Sequence, residues 1–374
     1  MKKLFLILTC FLFVVPVKAA TLATNAKSAM MVEASTGEII FSKNINEKLE
    51  PASLTKMMSM LIVLESIDKG IIKWDDVVIA SKNASSMGGS QILLEENEKM
   101  TVRDLFKGVA IASGNDAVVA LAEKIAGTVE NFVSLMNKRG KELGLTNTNF
   151  KNPHGLTADG HYTTANDLAL IALELVKHED VFKYTSVYED YLRANTSRKL
   201  WLVNTNKLVR FYDGVDGLKT GYTNTAGYCL VATAKKNNMR IIAIVLDEPT
   251  SDVRNKEVTE MLNYAFSQYE LGIAIDEGTV LKNVKVEKGA VDNIDVIASK
   301  KVTYLKNKLD NDPTVKYDVN INKLVAPLKK GDVVGKIKVQ INNNYEMLDI
   351  TVKEDVERIT FFELFLQKLT ILLT

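Results

Sequence analysis

The sequence predicts an α/β protein of the α+β kind: an antiparallel sheet flanked by helical layers, then a small all-β module, then a terminal amphipathic helix. Three observations carry this. Strand-like stretches stand near both ends of the first 272 residues, at "SAMMVEASTGEIIFSKN" and "GYCLVATAKKNNMRIIAIVLD", with helical segments between them. From about residue 275 the texture changes to strict alternation, as in "VKYDVNI" and "VVGKIKVQINNNYEMLDITV". The chain ends on "RITFFELFLQKLTILLT", apolar over most of a helical circumference, with Thr360, Glu363, Gln367, Thr370 and Thr374 on a narrow polar strip.

The first element is a leader. Lys2 and Lys3 precede an apolar run from Leu4 to Val15, followed by Pro16 and the small residues Ala19 and Ala20. That order reads as a secretory signal over residues 1–20, so the mature protein is expected outside the cytoplasm. Cys10 leaves with it, and Cys229 alone cannot form an intramolecular disulfide. Residues 21–272 then form the main domain. Two strands turn at Ser35-Thr36-Gly37. A helix runs from Ser53 to about Lys69, closed by Gly70, its apolar stripe made by Leu54, Met57, Met58, Leu61, Ile62 and Leu64. Thr101 and Asp104 cap another helix. "NDAVVALAEKIAG" and "TANDLALIALELV" are amphipathic helices, each opened by Asn and Asp, and a hairpin turns at Asn237-Asn238.

Residues 273–356 form the all-β module, with a hairpin turning at Asn342 to Asn344. Residues 357–374 form the last helix. It is shorter than the roughly 20 apolar residues of a membrane span and carries Glu363 and Lys368, so it is expected to lie in the plane of a membrane surface as an anchor. Charge is nearly balanced, 47 Lys+Arg against 46 Asp+Glu, so no global basic field points to nucleic acid. His154, His161 and His178 lack any metal-ligand spacing, and no cofactor is implied.

The chemistry begins at "PASLTKMM". Ser53 and Lys56 stand at i and i+3 and share a helix face. Ser-x-x-Lys also occurs at Ser66 to Lys69, but at a helix C-terminus, where the dipole disfavours a developing anion. "ASGNDA" places Ser113 and Asn115 between two helices, and "GVDGLKTGYT" carries the single Lys-Thr-Gly, Lys219 to Gly221, at the edge of a strand-forming run.

In this order and spacing the three elements resemble the low-molecular-mass penicillin-binding proteins, the serine-type D-alanyl-D-alanine carboxypeptidase family, with its β-lactamase/transpeptidase-like domain. The resemblance covers nearly the whole chain, including "GGSQILLEENEKMTVRDL", "NTNKLV", the module with "VAPLKKGDVVGKI", and the terminal helix. It implies an acyl-serine enzyme that removes the terminal D-alanine from peptidoglycan stem peptides at the outer face of the cytoplasmic membrane, and that β-lactams acylate. By the same resemblance Ser53 is the nucleophile and Lys56 its base. Ser113 relays a proton to the leaving amine, and Asn115 holds Lys56 and the substrate amide. The backbone N–H groups of Ser53 and Tyr222 form the oxyanion hole. Lys219, Thr220 and Arg254 are the candidates for the terminal carboxylate, Arg254 by its distance past Lys-Thr-Gly. Gly221 is expected to let the substrate backbone lie against its strand.

Burial and a second cation, Lys219, are both expected to push Lys56 toward the neutral amine that a base requires. Three rival functions use the same residues. A β-lactamase needs an activated water, and no Glu-x-x-x-Asn lies between the second and third elements. A D,D-endopeptidase shares the machinery, and a non-catalytic wall-binding or penicillin-sensing protein would keep only the binding.

Overall fold

The structure is a computed structural model that describes residues 22 to 363. The expected signal segment, and residues 364–374 of the expected anchor, lie outside the described residues.

The main sheet has five antiparallel strands in the spatial order Ile39–Lys43, Ser28–Glu33, Met239–Glu248, Gly227–Lys236, Val215–Thr223. The two N-terminal strands join the three later ones through Met239–Glu248 at the centre, which pairs with Ser28–Glu33 on one side and Gly227–Lys236 on the other. Asn237 and Asn238 both take positive φ, as a two-residue turn between right-twisting strands requires. The central strands are buried on both faces, so they read as continuous Ile, Val and Ala rather than as alternation. One face packs on the helix Ser251–Gln268, the other on a larger helical layer.

Within that layer Lys56–Asp68 is the axial helix. Lys56 through Leu64 are all buried, so the single apolar stripe expected from the sequence is instead a helix enclosed on every side. Ser53 sits just before it, in the 3-10 turn Ala52–Thr55, and caps nothing with its hydroxyl. Ala52 has φ +45°, which turns the chain sharply between Pro51 and the helix. Thr101 caps Val102–Ala112 as expected, its Oγ1 accepting from Asp104 N. The next two helices begin differently: Gly114 precedes Asn115–Ala126, and Thr164 caps Ala165–Leu175 through Asp167 N. Asn and Asp occupy first-turn positions, where a carboxylate meets the positive end of the helix.

The β module has its own core, including Val296, Ile337, Val339, Leu348 and Ile350. Its six-stranded sheet runs in the order Val315–Ile321, Val333–Ile341, Asn344–Val352, Asn293–Ala298, Val280–Glu287, Leu324–Val325. The hairpin turns on Asn342 and Asn343, because Asn344 already pairs with Ile341. The strand Tyr269–Ile275 crosses the expected boundary at 272 and pairs with Val302–Asn307. Ser35 and Thr303 meet across the two domains at 3.1 Å. At the far end Glu357 O accepts from Ala290 N, and Ile359 N donates to Lys288 O, each at 2.9 Å. The module's bonding therefore reaches past residue 357, and Phe361 and Phe362 follow it as exposed side chains.

Candidate active site

The chain delivers four elements to one point on the helical side of the sheet: the Pro51–Thr55 turn, the junction at Ser113–Asn115, the loop 152–157, and the edge strand Val215–Thr223. Glycines set how closely they meet. A Cβ on Gly221 would stand 3.1 Å from Pro51 O and 3.3 Å from Ser53 N. The missing side chain therefore admits the serine turn itself, a close neighbour beyond the substrate backbone expected along this strand. A Cβ on Gly155 would lie 1.8 Å from Ala52 O and 2.9 Å from Ser53 N. The backbone of Ser53 is clamped between two glycines.

Lys56 is wholly buried and its Nζ lies 2.9 Å from Ser53 Oγ. It also donates to Asn115 Oδ1 at 2.6 Å and to the carbonyl of His154 at 2.7 Å. The Asn115 amide has its orientation fixed, because its Nδ2 donates to Gly88 O at 2.7 Å. Both partners of Lys56 are acceptors only. A neutral amine has two N–H bonds to give, and these two acceptors use them, which leaves the lone pair facing the Ser53 hydroxyl. Burial first, and then the charge of Lys219, hold Lys56 well below the usual lysine range. Lys219 is itself buried, and desolvation followed by the charge of Arg254 brings it down to about 7. Its Nζ has a backbone carbonyl, Thr220 O, at 3.1 Å.

Behind Lys56 lie two more enclosed basic groups, Lys219 and Arg254, whose hydrogen bonds go to a carbonyl and an amide rather than to a carboxylate, since Arg254 donates to Asn255 Oδ1 at 3.0 Å. A buried positive charge without a carboxylate is costly, so the row is a ready receptor for an incoming anion. Thr220 Oγ1 donates to Thr205 Oγ1 at 2.7 Å beside it.

Ser113 occupies the left-handed region at φ +63°, and its Oγ is buried with no hydrogen-bond partner among the described residues. A buried hydroxyl left unpaired is expensive, and a proton in transit is one use for it. Tyr222, half exposed, stacks on Tyr228 at 4.3 Å and donates from its hydroxyl to Asn224 Oδ1 at 3.0 Å.

Several supporting groups escaped the sequence reading. Asp116 accepts from Ile92 N and Leu94 N at 3.0 Å, and so fastens the segment beyond Gly88-Gly89 to the helix that presents Asn115. In the sequence alone Asp116 signals no more than a helix start. The His154 carbonyl and Gly155 come from "NPHGL", which carries a turn signal and nothing more specific. His161 Nδ1 accepts from Lys151 N, so Nε2 carries the proton and donates to Thr55 Oγ1 at 2.8 Å. Burial brings both His154 and His161 down to about 4, and both serve as neutral struts of the loop. Burial likewise pushes the Cys229 thiol up to about 12, which suits a small apolar filler.

Comparison with known proteins follows the same lines. A family model described as D-alanyl-D-alanine carboxypeptidase matches residues 15–250, and a second, described as penicillin-binding protein 5, C-terminal domain, matches residues 269–358. The chain is 49% identical to D-alanyl-D-alanine carboxypeptidase DacF of Bacillus subtilis, over 92% of this chain and 89% of the relative. It is 36% identical to D-alanyl-D-alanine carboxypeptidase DacC of Escherichia coli, over 91% of this chain and 86% of the relative. Among solved structures, penicillin binding protein 5 from Haemophilus influenzae superposes with a TM-score of 0.72 at 32% identity, covering 91% of this chain and all of the other. Penicillin-binding protein D2 from Listeria monocytogenes, solved in an ampicillin-bound form, covers 65% of this chain and 98% of its own, with a TM-score of 0.59 at 31% identity.

Proposed function

This chain belongs to the D-alanyl-D-alanine carboxypeptidase family, and from that premise we propose that Ser53 is its nucleophile and Lys56 the base that activates it. The enzyme is a serine-type carboxypeptidase and penicillin-binding protein of the cell wall, with peptidoglycan peptides as substrates and β-lactams as ligands.

The observation that carries the assignment of residues is the hydrogen bonding of Lys56. With both amine protons given to Asn115 Oδ1 and His154 O, the remaining lone pair takes the Ser53 proton as the oxygen attacks the carbonyl of the penultimate D-alanine. The tetrahedral oxygen falls to the N–H groups of Ser53 and Tyr222, held close by the absence of side chains at Gly155 and Gly221. The proton then passes from the Lys56 ammonium through Ser113 Oγ to the departing amine of the terminal D-alanine. An ester on Ser53 remains, and water attacks it with Lys56 again taking a proton. The terminal carboxylate pairs with the Lys219, Thr220 and Arg254 row. Asn115 keeps Lys56 in register and faces the substrate amide.

Brief exposure of the purified protein to benzylpenicillin is expected to add one drug mass, slowly lost, and Ser53→Ala is expected to add none. Intact-mass spectrometry reads both. Destruction of the drug without an adduct would identify a β-lactamase, and no adduct with intact drug would leave a binding protein.

The terminal segment we propose as a membrane tether, which would hold the enzyme at the outer face of the cytoplasmic membrane after export. Among the described residues no helix is long and apolar enough to cross a membrane. The supporting observation is the pair Phe361 and Phe362, 86% and 69% exposed, at the start of the apolar run. Because Glu357 and Ile359 bond into the β module, the truncation to make begins at Phe361. Removing residues 361–374 is expected to move the processed protein to the soluble fraction with its activity on short peptides retained. Continued sedimentation with membranes would refute the tether.

A further inference from the structure

The cleft has an end that the reaction itself does not use. One wall is the strand that carries Lys219 to Thr223. The opposite wall includes Gly89 and Leu156, since a Cβ on Gly89 would lie 3.7 Å from Leu156 Cδ2. Beyond Ser53 the two walls meet, with Thr157 Oγ1 3.4 Å from Thr225 Oγ1. Beneath that contact lies Glu50, three residues before the nucleophile.

Glu50 is held there deliberately. Its Oε2 accepts from Thr157 Oγ1 at 2.9 Å and from Thr225 Oγ1 at 2.7 Å. Each hydroxyl has given its only proton to Glu50, so the two threonines touch without bonding each other. Thr225 in turn accepts from Thr223 Oγ1 at 3.2 Å, and Thr223 accepts from Ala226 N at 3.0 Å. The chain of donors fixes the carboxylate from one side. Oε1 has no hydrogen-bond partner among the described residues, and no lysine or arginine there forms an ion pair with Glu50. Lys27 pairs with Glu47 at 3.1 Å, and Lys48 lies over the Tyr162 ring at 4.6 Å. A half-buried, oriented carboxylate without a cation is the negative counterpart of the Lys219–Arg254 row.

The direction of the substrate decides which part of it arrives. Its terminal carboxylate belongs beside Lys219 and Thr220, so its scissile carbonyl lies near Ser53 and the Tyr222 N–H. The residues preceding the D-alanine pair must then run toward Thr223–Thr225. An extended chain advances about 3.3 Å per residue, so the residue before the pair reaches the level of Thr223, within side-chain reach of Glu50.

We propose that Glu50, positioned by Thr157 and Thr225, receives the free side-chain amine of the residue that precedes D-Ala-D-Ala, and so favours stem peptides whose amine is not yet acylated in a cross-link. This rests on the reading of Ser53 and of substrate direction given above. It gives the site a preference for trimming uncross-linked peptides over cutting linked ones.

The test compares two tripeptides on the full chain: Nα-acetyl-L-Lys-D-Ala-D-Ala, with its side-chain amine free, and the same peptide acetylated on that amine. The readout is the ratio of their kcat/KM values. At low salt the wild type is expected to favour the free amine about five-fold, as for a partly exposed ion pair, with the ratio shrinking as salt is added. Glu50→Gln is expected to bring the ratio to one. Equal rates in the wild type, or a ratio that survives in Glu50→Gln or ignores salt, would overturn the proposal. The salt series needs only the wild type, so it stands even if Glu50→Gln folds poorly. Failure of the underlying reading looks different: neither peptide would release D-alanine at all.

Discussion

Replacing Lys56 with alanine is expected to slow acylation of Ser53 by benzylpenicillin by about 10²–10⁴-fold, the range that a positioned general base supplies. The second-order rate of adduct formation, followed by mass, measures it. Lys56→Arg is expected to be equally inactive, because a guanidinium keeps its proton at every working pH and so cannot accept one from serine. A variant of either kind that acylated at the wild-type rate would remove Lys56 from the mechanism. The pH profile carries the same logic with a sign. Only the neutral amine is a base, so acylation by the wild type rises with pH through the Lys56 pKa, which burial and Lys219 hold well below 10.5. Replacing Lys219 by methionine removes a neighbouring positive charge, so the ammonium form of Lys56 becomes easier to keep. The acid limb should then move to higher pH. A limb that stayed in place would mean that burial alone sets the lysine, or that another group titrates. Lys219→Met also weakens carboxylate binding, but that lowers the height of the profile and not its midpoint.

The sequence made the proposed reacting groups legible because their chemistry is rare in type and order. A serine three residues ahead of a lysine at a helix entry, Ser113 and Asn115 at a helix junction, and one Lys-Thr-Gly were enough to name the elements that the structure brings together around Lys56. The sheet was legible for a similar reason. Its central strands are long apolar runs, and the Asn237-Asn238 turn fits one kind of hairpin. What escaped were the groups that act through backbone. The carbonyls of His154 and Gly88 orient the Lys56 amine and the Asn115 amide, yet any residue supplies a carbonyl, so the sequence marks neither. The axial helix misled in a different way. Its nearest sequence neighbours suggested one buried stripe, whereas helices from later in the chain cover its other sides, and that enclosure is what strips water from Lys56. The missing side chain at Gly221 is legible in the sequence, but the close approach of Pro51–Ser53 that uses it is not.

Gly155→Ala is expected to damage both stability and chemistry more than any other single methyl group added near the site. Two costs combine. The residue sits at φ +91°, where an L side chain is strained by about 1–2 kcal/mol. The new methyl would also stand 1.8 Å from Ala52 O and 2.4 Å from Ala52 C, and these are backbone atoms that cannot swing aside as a side chain can. The turn carrying Ser53 must move, and with it the N–H that would stabilise the tetrahedral oxygen. Loss or misplacement of one such donor costs on the order of 10²–10³-fold. Strain and clash together should lower stability by about 3 kcal/mol or more, which for a domain of this size is roughly a 10 °C fall in Tm. Gly70→Ala supplies the contrast. Gly70 has φ +70° with nothing within 4 Å of its Cβ position, so it should cost only the strain, about 1 kcal/mol, and leave acylation unchanged. Calorimetry gives the two Tm values and drug acylation the two rates. If Gly155→Ala matched Gly70→Ala in both, the close approach of loop 152–157 to the serine turn would have no part in holding the nucleophile, and the clamp between Gly155 and Gly221 would have to be abandoned as the source of its geometry.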